Sequence, residues 1–336
     1  MKKTTVVIAA ALAVFVSLPT FAAKEKKAKK AKKGTDVVRI AIQPSAAFIP
    51  LYVAREKGWI EEALAKSQVS VVWNDFESGP PMNESLAAGK SDIGVIGDVP
   101  TVSAIAAGQK NEVVGVPANG PDAYAVLAKA DNAAINSGAD LKGKKVATVI
   151  GSTGHNLIKK VVEKNGFTLS DIELINISAG DAGSVLATGS VDAVVIWEPN
   201  VTRLVDNGTA KIVAQGSDTS LRGTNTFVAR KAFTQAQPET VSVILEQFAR
   251  AVQALPTLDE ATLSSVASKL GLDASQVKKI LPKYNFAVTV DSVDAAALQD
   301  TIQFLVGIDV LSKEYQIKEY INTSYFEKSG AANYLK

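Results

Sequence analysis

The residues best suited to chemistry in this chain are small and hydroxylic: Ser152, Thr153 and Gly154, followed at once by His155. An apolar-periodic run follows them, which puts them at the mouth of a helix. There, unpaired N–H groups and the positive end of the helix dipole hold an anion without cationic side chains. Ser78-Gly79, just before Pro80, is a second stretch of this kind. Ser and Thr also cap helices for purely structural reasons, so either stretch alone has an ordinary reading. Asp98 and Glu198 stand at matching strand ends and read either as paired acids or as braces for their turns.

Catalysis is poorly served. His155 is the only histidine in 336 residues, and cysteine is absent. That removes thiolate zinc sites, disulfide scaffolds and cysteine nucleophiles together. A lone histidine needs a nucleophile and an orienting partner, and no G-x-S-x-G, H-E-x-x-H, Walker or G-x-G-x-x-G pattern supplies them. No acidic cluster has metal-ligand spacing. No catalytic residue, metal ligand or cofactor is expected.

The elements that must position these residues form an internal repeat. From Val37, "VVRIAIQPS" reads as a strand, "FIPLYVAREKG" as a helix stopped by Gly58, and "VSVVW" as a strand. "PPMNESLAAG" then reads as a helix and "SDIGVIGDVP" as a strand ending in a turn. From Lys144 the same β-α-β-α-β order recurs as "KKVATVIGST", "HNLIKKVVEKNG", "IELINI", "DAGSVLATG" and "SVDAVVIWEP". Leu86, Gly89, Asp92 and Ile96 correspond to Leu186, Gly189, Asp192 and Ile196, always one hundred positions apart. Strands alternating with helices imply an α/β protein of two similar lobes with mostly parallel sheets.

In such sheets ligands sit beyond the carboxyl ends of the strands. The turns to watch are therefore Gln43 to Ser45, Glu77 to Gly79, Gly97 to Val99, Gly151 to Thr153, Ser178 to Asp181, and Trp197 to Glu198. Pro117 to Tyr124 and Ser220 to Phe227 flank the second copy and are the candidate crossings between lobes. The mostly helical segment after Phe227 is expected to pack back on the first lobe. The domain expectation is 36–122 plus 225–336 for lobe 1 and 123–224 for lobe 2.

The N-terminus has the pattern of a secretory signal peptide over residues 1–23. Lys2 and Lys3 precede an apolar run from about Val6 to Leu18, and small residues place cleavage near Ala22-Ala23. Residues 24–35 read as a Lys-rich disordered tail, with seven lysines between positions 24 and 33. The whole chain has 36 basic and 34 acidic residues. Without Lys2, Lys3, Glu25 and the tail lysines, 27 basic residues face 33 acidic ones, a balance near −6 that offers no nucleic-acid surface. No oligomerisation signal is visible, and a monomer is expected.

Three stretches together resemble the periplasmic solute-binding proteins for aliphatic sulfonates, taurine and nitrate, which serve ABC importers. They are "FESGPPMNESLAAGKSDIGVIGDVP", "GSTGHNLIKKVVEKNGFTLSDIE" and "DAGSVLATGSVDAVVIWEP". The resemblance runs in order and spacing from about Val38 to about Ala232 and is looser beyond. It implies a type II periplasmic-binding-protein fold, two α/β lobes closing on a small anion, an exported periplasmic protein, and an ABC permease in the inner membrane as partner. Carried over by position, it implies ligand-binding roles for Gln43, Ser45, Ser78, Gly79, Asp98, Ser152, Thr153, His155, Trp197 and Glu198. The hydroxyls and amides would meet sulfonate oxygens, and Trp197 would wall the carbon chain.

There are departures from the family pattern. Gly154 stands where many relatives have Ser or Ala, Glu198 where Asp is usual, and Val194 where the aliphatic-sulfonate type often has Trp. They leave the tail of the ligand open, and an acidic side chain in the cleft would suit the amine of taurine. Nitrate, bicarbonate or a pyrimidine are alternatives on the same fold. An enzyme of the thiamine-pyrimidine synthase type is the alternative from another class, but its cysteine-rich motif is missing and such enzymes are cytosolic.

Overall fold

The computed structural model describes residues 36–335, so the expected signal peptide and the Lys-rich tail lie outside the described residues. The chain opens with β1 (Asp36–Ile42), a β-branched run. Ser45 then caps a short 3-10 turn that leads into α1 (Ile49–Glu56). Gly58 ends α1 with φ +64°, a left-handed conformation that costs glycine least. It also opens α2 (Trp59–Ala65), a helix the sequence reading lacks. Next come β2 (Val69–Asp75), α3 (Gly79–Ala87), β3 (Ile93–Gly97), α4 (Asp98–Ala106), β4 (Asn111–Gly115) and β5 (Ala118–Asn119).

The chain then builds a second layered unit. Its elements are β6 (Tyr124–Lys129), β7 (Lys145–Thr148), α5 (Thr153–Lys164), β8 (Glu173–Asn176), α6 (Ala182–Ala187), β9 (Ala193–Trp197), α7 (Asn200–Asp206) and β10 (Ala210–Gln215). It returns through β11 (Asn225–Arg230). The remainder is α8 (Lys231–Ala236), α9 (Pro238–Ala254), α10 (Glu260–Lys269), α11 (Ala274–Ile280), β12 (Asn285–Phe286), α12 (Ser292–Gly307) and α13 (Ser324–Lys328).

The strands form two five-stranded sheets, β2-β1-β3-β11-β4 and β10-β6-β9-β7-β8, and a small ribbon of β5 with β12. Read in the opposite sense, the second sheet has the order of the first, with β7, β8 and β9 in place of β1, β2 and β3. The expectation of mostly parallel sheets needs correction. β1 with β2 and β3, and β7 with β8 and β9, are parallel, but β11 and β6 are antiparallel to both their neighbours. These two strands carry the chain across from the other sheet, so they enter against the direction of the βαβ repeat.

The repeat is carried by equivalent hydrogen bonds. Arg39 N donates to Asp92 Oδ2 at 2.9 Å, and Lys145 N donates to Asp192 Oδ2 at 2.8 Å. In return, Asp92 N donates to Arg39 O and Asp192 N to Lys145 O. Gly89 and Gly189 follow their helices with φ of +66° and +71°, and Leu86, Leu186, Ile96 and Ile196 are fully buried. Each matched residue thus stops a helix, plugs the core, or ties the third strand to the first.

The C-terminal helices pack on the first sheet's layer, α9 against α1 and α2, and α12 against α4. They also reach the second unit. Lys279 pairs with Asp206 of α7, and Lys160 of α5 pairs with Asp300 of α12 at 2.7 Å. No helix among the described residues is long and apolar enough to cross a membrane.

Candidate functional site

The carboxyl ends of β1, β3, β7 and β9 converge on one small pocket between the two sheets. Its wall contains Gln43, Ser45, Gly79, Ser152, Thr153 and Trp197, six of the ten residues expected at the site. Pro80, Gly97, Pro100, Tyr124 and Asn225 complete it. No lining side chain carries a formal charge. The polar groups are hydroxyls, carboxamides and a phenol, and the apolar wall is Trp197, Tyr124 and two prolines.

Helix α5 brings the strongest donors. Ser152 is its N-cap, and the Ser152 hydroxyl oxygen accepts from His155 N at 3.3 Å. That leaves the hydroxyl hydrogen free to point elsewhere, and the amides of Thr153 and Gly154 lack intrahelical acceptors. The start of α3 contributes less than the sequence implies. Pro80 and Pro81 occupy its first turn and have no N–H to offer. Gly79 is needed there for close approach, because a Cβ would lie 2.6 Å from Pro100 Cγ. Ser78 is buried beside it in extended backbone and is not part of the pocket wall.

Gln43 is buried, and its Oε1 has no partner within the described residues. A carboxamide presents either end by a half-turn at almost no change in shape, so this orphan group has capacity for a bound molecule. Tyr124 OH accepts from Asn225 Nδ2 at 3.4 Å. Burial drives the phenol's pKa upward, so it stays a neutral donor.

The two carboxylates expected near the ligand are engaged elsewhere. Glu198 is fully buried; its Oε1 accepts from Lys283 Nζ at 2.6 Å and from Thr202 Oγ1 at 2.8 Å, and its Oε2 accepts from Thr202 N at 3.0 Å. Its backbone bridges the units, with Glu198 O accepting from Ala46 N and Glu198 N donating to Ala123 O. Asp98 lies behind the pocket wall. Its Oδ1 accepts from Thr153 Oγ1 at 2.5 Å and Val99 N at 2.7 Å, and its Oδ2 accepts from Thr301 Oγ1 at 2.7 Å. Burial holds its pKa above the usual carboxylate range, partly offset by those three donors.

His155 is not part of the pocket wall either. Its Nδ1 accepts from Gly151 N at 3.4 Å, and its ring meets Phe304 of α12 edge-on at 5.3 Å. Burial lowers its pKa, so the neutral imidazole is favoured. The Ser178 to Asp181 turn stands apart, closed on itself by a Ser178 Oγ to Asp181 bond of 2.9 Å.

The residues missed from sequence have intelligible signals. Gly97 lies in one of the strand-end turns, and Tyr124 and Asn225 lie in the two crossings. What spacing does not reveal is that Tyr124 and Asn225, 101 positions apart, meet in the pocket wall.

Two mixed α/β sheets with matching strand order, joined by two crossings and holding a pocket at their facing strand ends, define the periplasmic-binding-protein fold. The chain belongs to the family described as NMT1/THI5 like, which it matches over residues 45–257. A Bacillus subtilis (strain 168) protein, provisionally named as an aliphatic sulfonates-binding protein, is 31% identical over 296 residues, 87% of each chain. The crystal structure of the periplasmic aliphatic sulphonate binding protein SsuA from Escherichia coli superposes with a TM-score of 0.76 at 26% identity, covering 87% of this chain and 99% of that one. The alkanesulfonate-binding protein SsuA from Xanthomonas axonopodis pv. citri bound to MOPS gives 0.77 and 28%, with the same coverage.

Proposed function

We propose that this protein is the solute-binding component of an ABC importer that captures an aliphatic sulfonate between two closing lobes, residues 36–122 with 225–336 and residues 123–224. The observation that carries the reading is the chemistry of the pocket wall. It offers hydroxyls, carboxamides and helix amides to anionic oxygens, and Trp197 beside them as a face for carbon. Gln43, Ser45, Gly79, Ser152 and Thr153 bind the sulfonate group. Ser78, Asp98, His155 and Glu198 support them from behind.

The same wall favours an uncharged tail over taurine. An ammonium group needs a nearby carboxylate, and both candidates are committed to other partners. Nitrate would leave the aromatic wall unused. The protein delivers its ligand to a permease in the inner membrane and acts as a monomer. Its place is the periplasm, reached through cleavage near Ala22-Ala23, in keeping with the relatives named as periplasmic. It does not transform what it binds.

Isothermal titration of the mature protein tests this with ethanesulfonate, longer alkanesulfonates, taurine, sulfate and nitrate. Micromolar or tighter binding of an alkanesulfonate, recovered unchanged after incubation, is the expected result. Preference for taurine or nitrate would refute the assignment of ligand.

A further inference from the structure

Asp98 raises a question of charge. It sits one hydrogen bond behind the pocket wall, since Thr153 Oγ1 both lines the pocket and lies 2.5 Å from Asp98 Oδ1. No cationic side chain pairs with it among the described residues. An ionised Asp98 takes the hydroxyl hydrogens of Thr153 and Thr301. The Thr153 oxygen then shows only lone pairs to the pocket, and two negative charges face each other across it when an anion enters. A protonated Asp98 reverses the first bond. The acid donates to Thr153 Oγ1, its other oxygen still accepts from Thr301, and the Thr153 hydrogen is free to donate to the anion.

We propose that Asp98 takes up one proton when the lobes close on the ligand anion, so that capture is proton-coupled and Thr153 is switched from acceptor to donor. The proposal rests on the anion-receptor reading above and goes beyond it by naming the proton. With the Thr153 and Thr301 hydroxyls packed against Asp98 as here, burial favours the neutral acid, in agreement with the geometry. The proton has a route. A separate cavity of about 570 Å³ opens to solvent behind the pocket and is lined by Asp98, Asn156, Arg222, Asp300 and Thr301. Asn156 is buried there with both amide atoms unpartnered within the described residues, which leaves polar anchoring for water beside the carboxyl.

The surrounding charges do not compensate Asp98. Asp300 on α12 adds negative potential and is itself held by Lys160 of α5. Arg222, between the lobes, is held by Asp294 at 2.8 Å. Tyr124 on β6 and His155 on α5 are both biased to their neutral forms. Strand β3 and the rest of α4 carry no charged side chain.

The test is titration calorimetry of hexanesulfonate, whose head group stays ionised, in buffers of different ionisation enthalpy between about pH 5 and 9. The expected result is uptake of about one proton per ligand. Affinity should fall about tenfold per pH unit between the carboxyl's free and bound pKa values. Asp98→Asn, which cannot titrate, should bind with no uptake and a flat profile across that range. Should that variant not fold, His155→Gln removes the imidazole as a source of the proton, and uptake retained in it supports Asp98. Binding without uptake in the wild type, uptake persisting in Asp98→Asn, or uptake lost in His155→Gln would each overturn the coupling alone. Absence of any binding would overturn the receptor reading, and the coupling with it.

Discussion

Glu198, at the end of β9, accepts a 2.6 Å hydrogen bond from Lys283 Nζ, 85 positions further on, and has no exposed surface of its own. The contact ties the second sheet to the C-terminal segment just before β12. A buried charge that loses its only counter-ion is costly, whereas replacing both partners is far less so. Lys283→Met should therefore destabilise the protein by about 3 kcal/mol, and the Lys283→Met/Glu198→Gln pair should recover most of that loss. Chemical denaturation of the wild type, the single variant and the pair measures it. A double variant as unstable as the single one would contradict the assigned pairing.

Ser152 has two duties that measurement can separate. Its oxygen caps α5 through His155 N, a role worth about 1 kcal/mol of stability. Its hydroxyl also lines the pocket. Ser152→Ala should lose about that much stability without ligand and should bind an alkanesulfonate about tenfold more weakly than wild type. Lost stability with unchanged affinity would reduce Ser152 to a cap.

His155 gives the fold a pH dependence with a definite sign. Its folded pKa lies below the ordinary value of about 6.5, because burial disfavours the charged ring. The unfolded chain then binds the proton more readily. The stability due to this residue is complete above about pH 6.5 and is lost as pH falls toward the folded value. His155→Gln should show a smaller loss of stability between about pH 7.5 and 5.5 than the wild type, measured by denaturant midpoints at both values. An identical loss would contradict it.

The paired aspartates of the repeat are equivalent in geometry but not in burial. Asp92 accepts from Arg39 N, pairs with Arg230, and is almost wholly buried; Asp192 holds Lys145 N at a more open position. Asp92→Ala should cost about 3 kcal/mol and Asp192→Ala about 1, because only the first removes a buried carboxylate shared by Arg39 N and two arginine side chains. Thermal unfolding of both variants decides the order.

The repeat could be seen in the sequence because each matched residue has a local job: a left-handed stop at Gly89 and Gly189, a core plug at Leu86 and Leu186, and a strand tie at Asp92 and Asp192. The strand-end rule likewise pointed to Gln43, Ser45, Gly79, Ser152, Thr153 and Trp197, which need only the end of their own strand to be placed. Asp98, Glu198 and His155 were harder. Their contacts with Thr301, Lys283 and Phe304 come from the helical tail, and no local spacing encodes that docking. The antiparallel entry of β6 and β11 escaped for the same reason, since it depends on where the crossings lead.

The central claim is that a sulfonate group sits on the hydroxyls and amides at the start of α5 with its carbon chain against Trp197. A crystal structure of the mature protein with hexanesulfonate tests it most directly. The account predicts sulfonate oxygens within hydrogen-bonding distance of Ser152, Thr153 and at least one of Gln43 and Ser45, with no carboxylate in contact with the ligand. A ligand seated elsewhere, or one held by a cationic side chain away from α5, would contradict it.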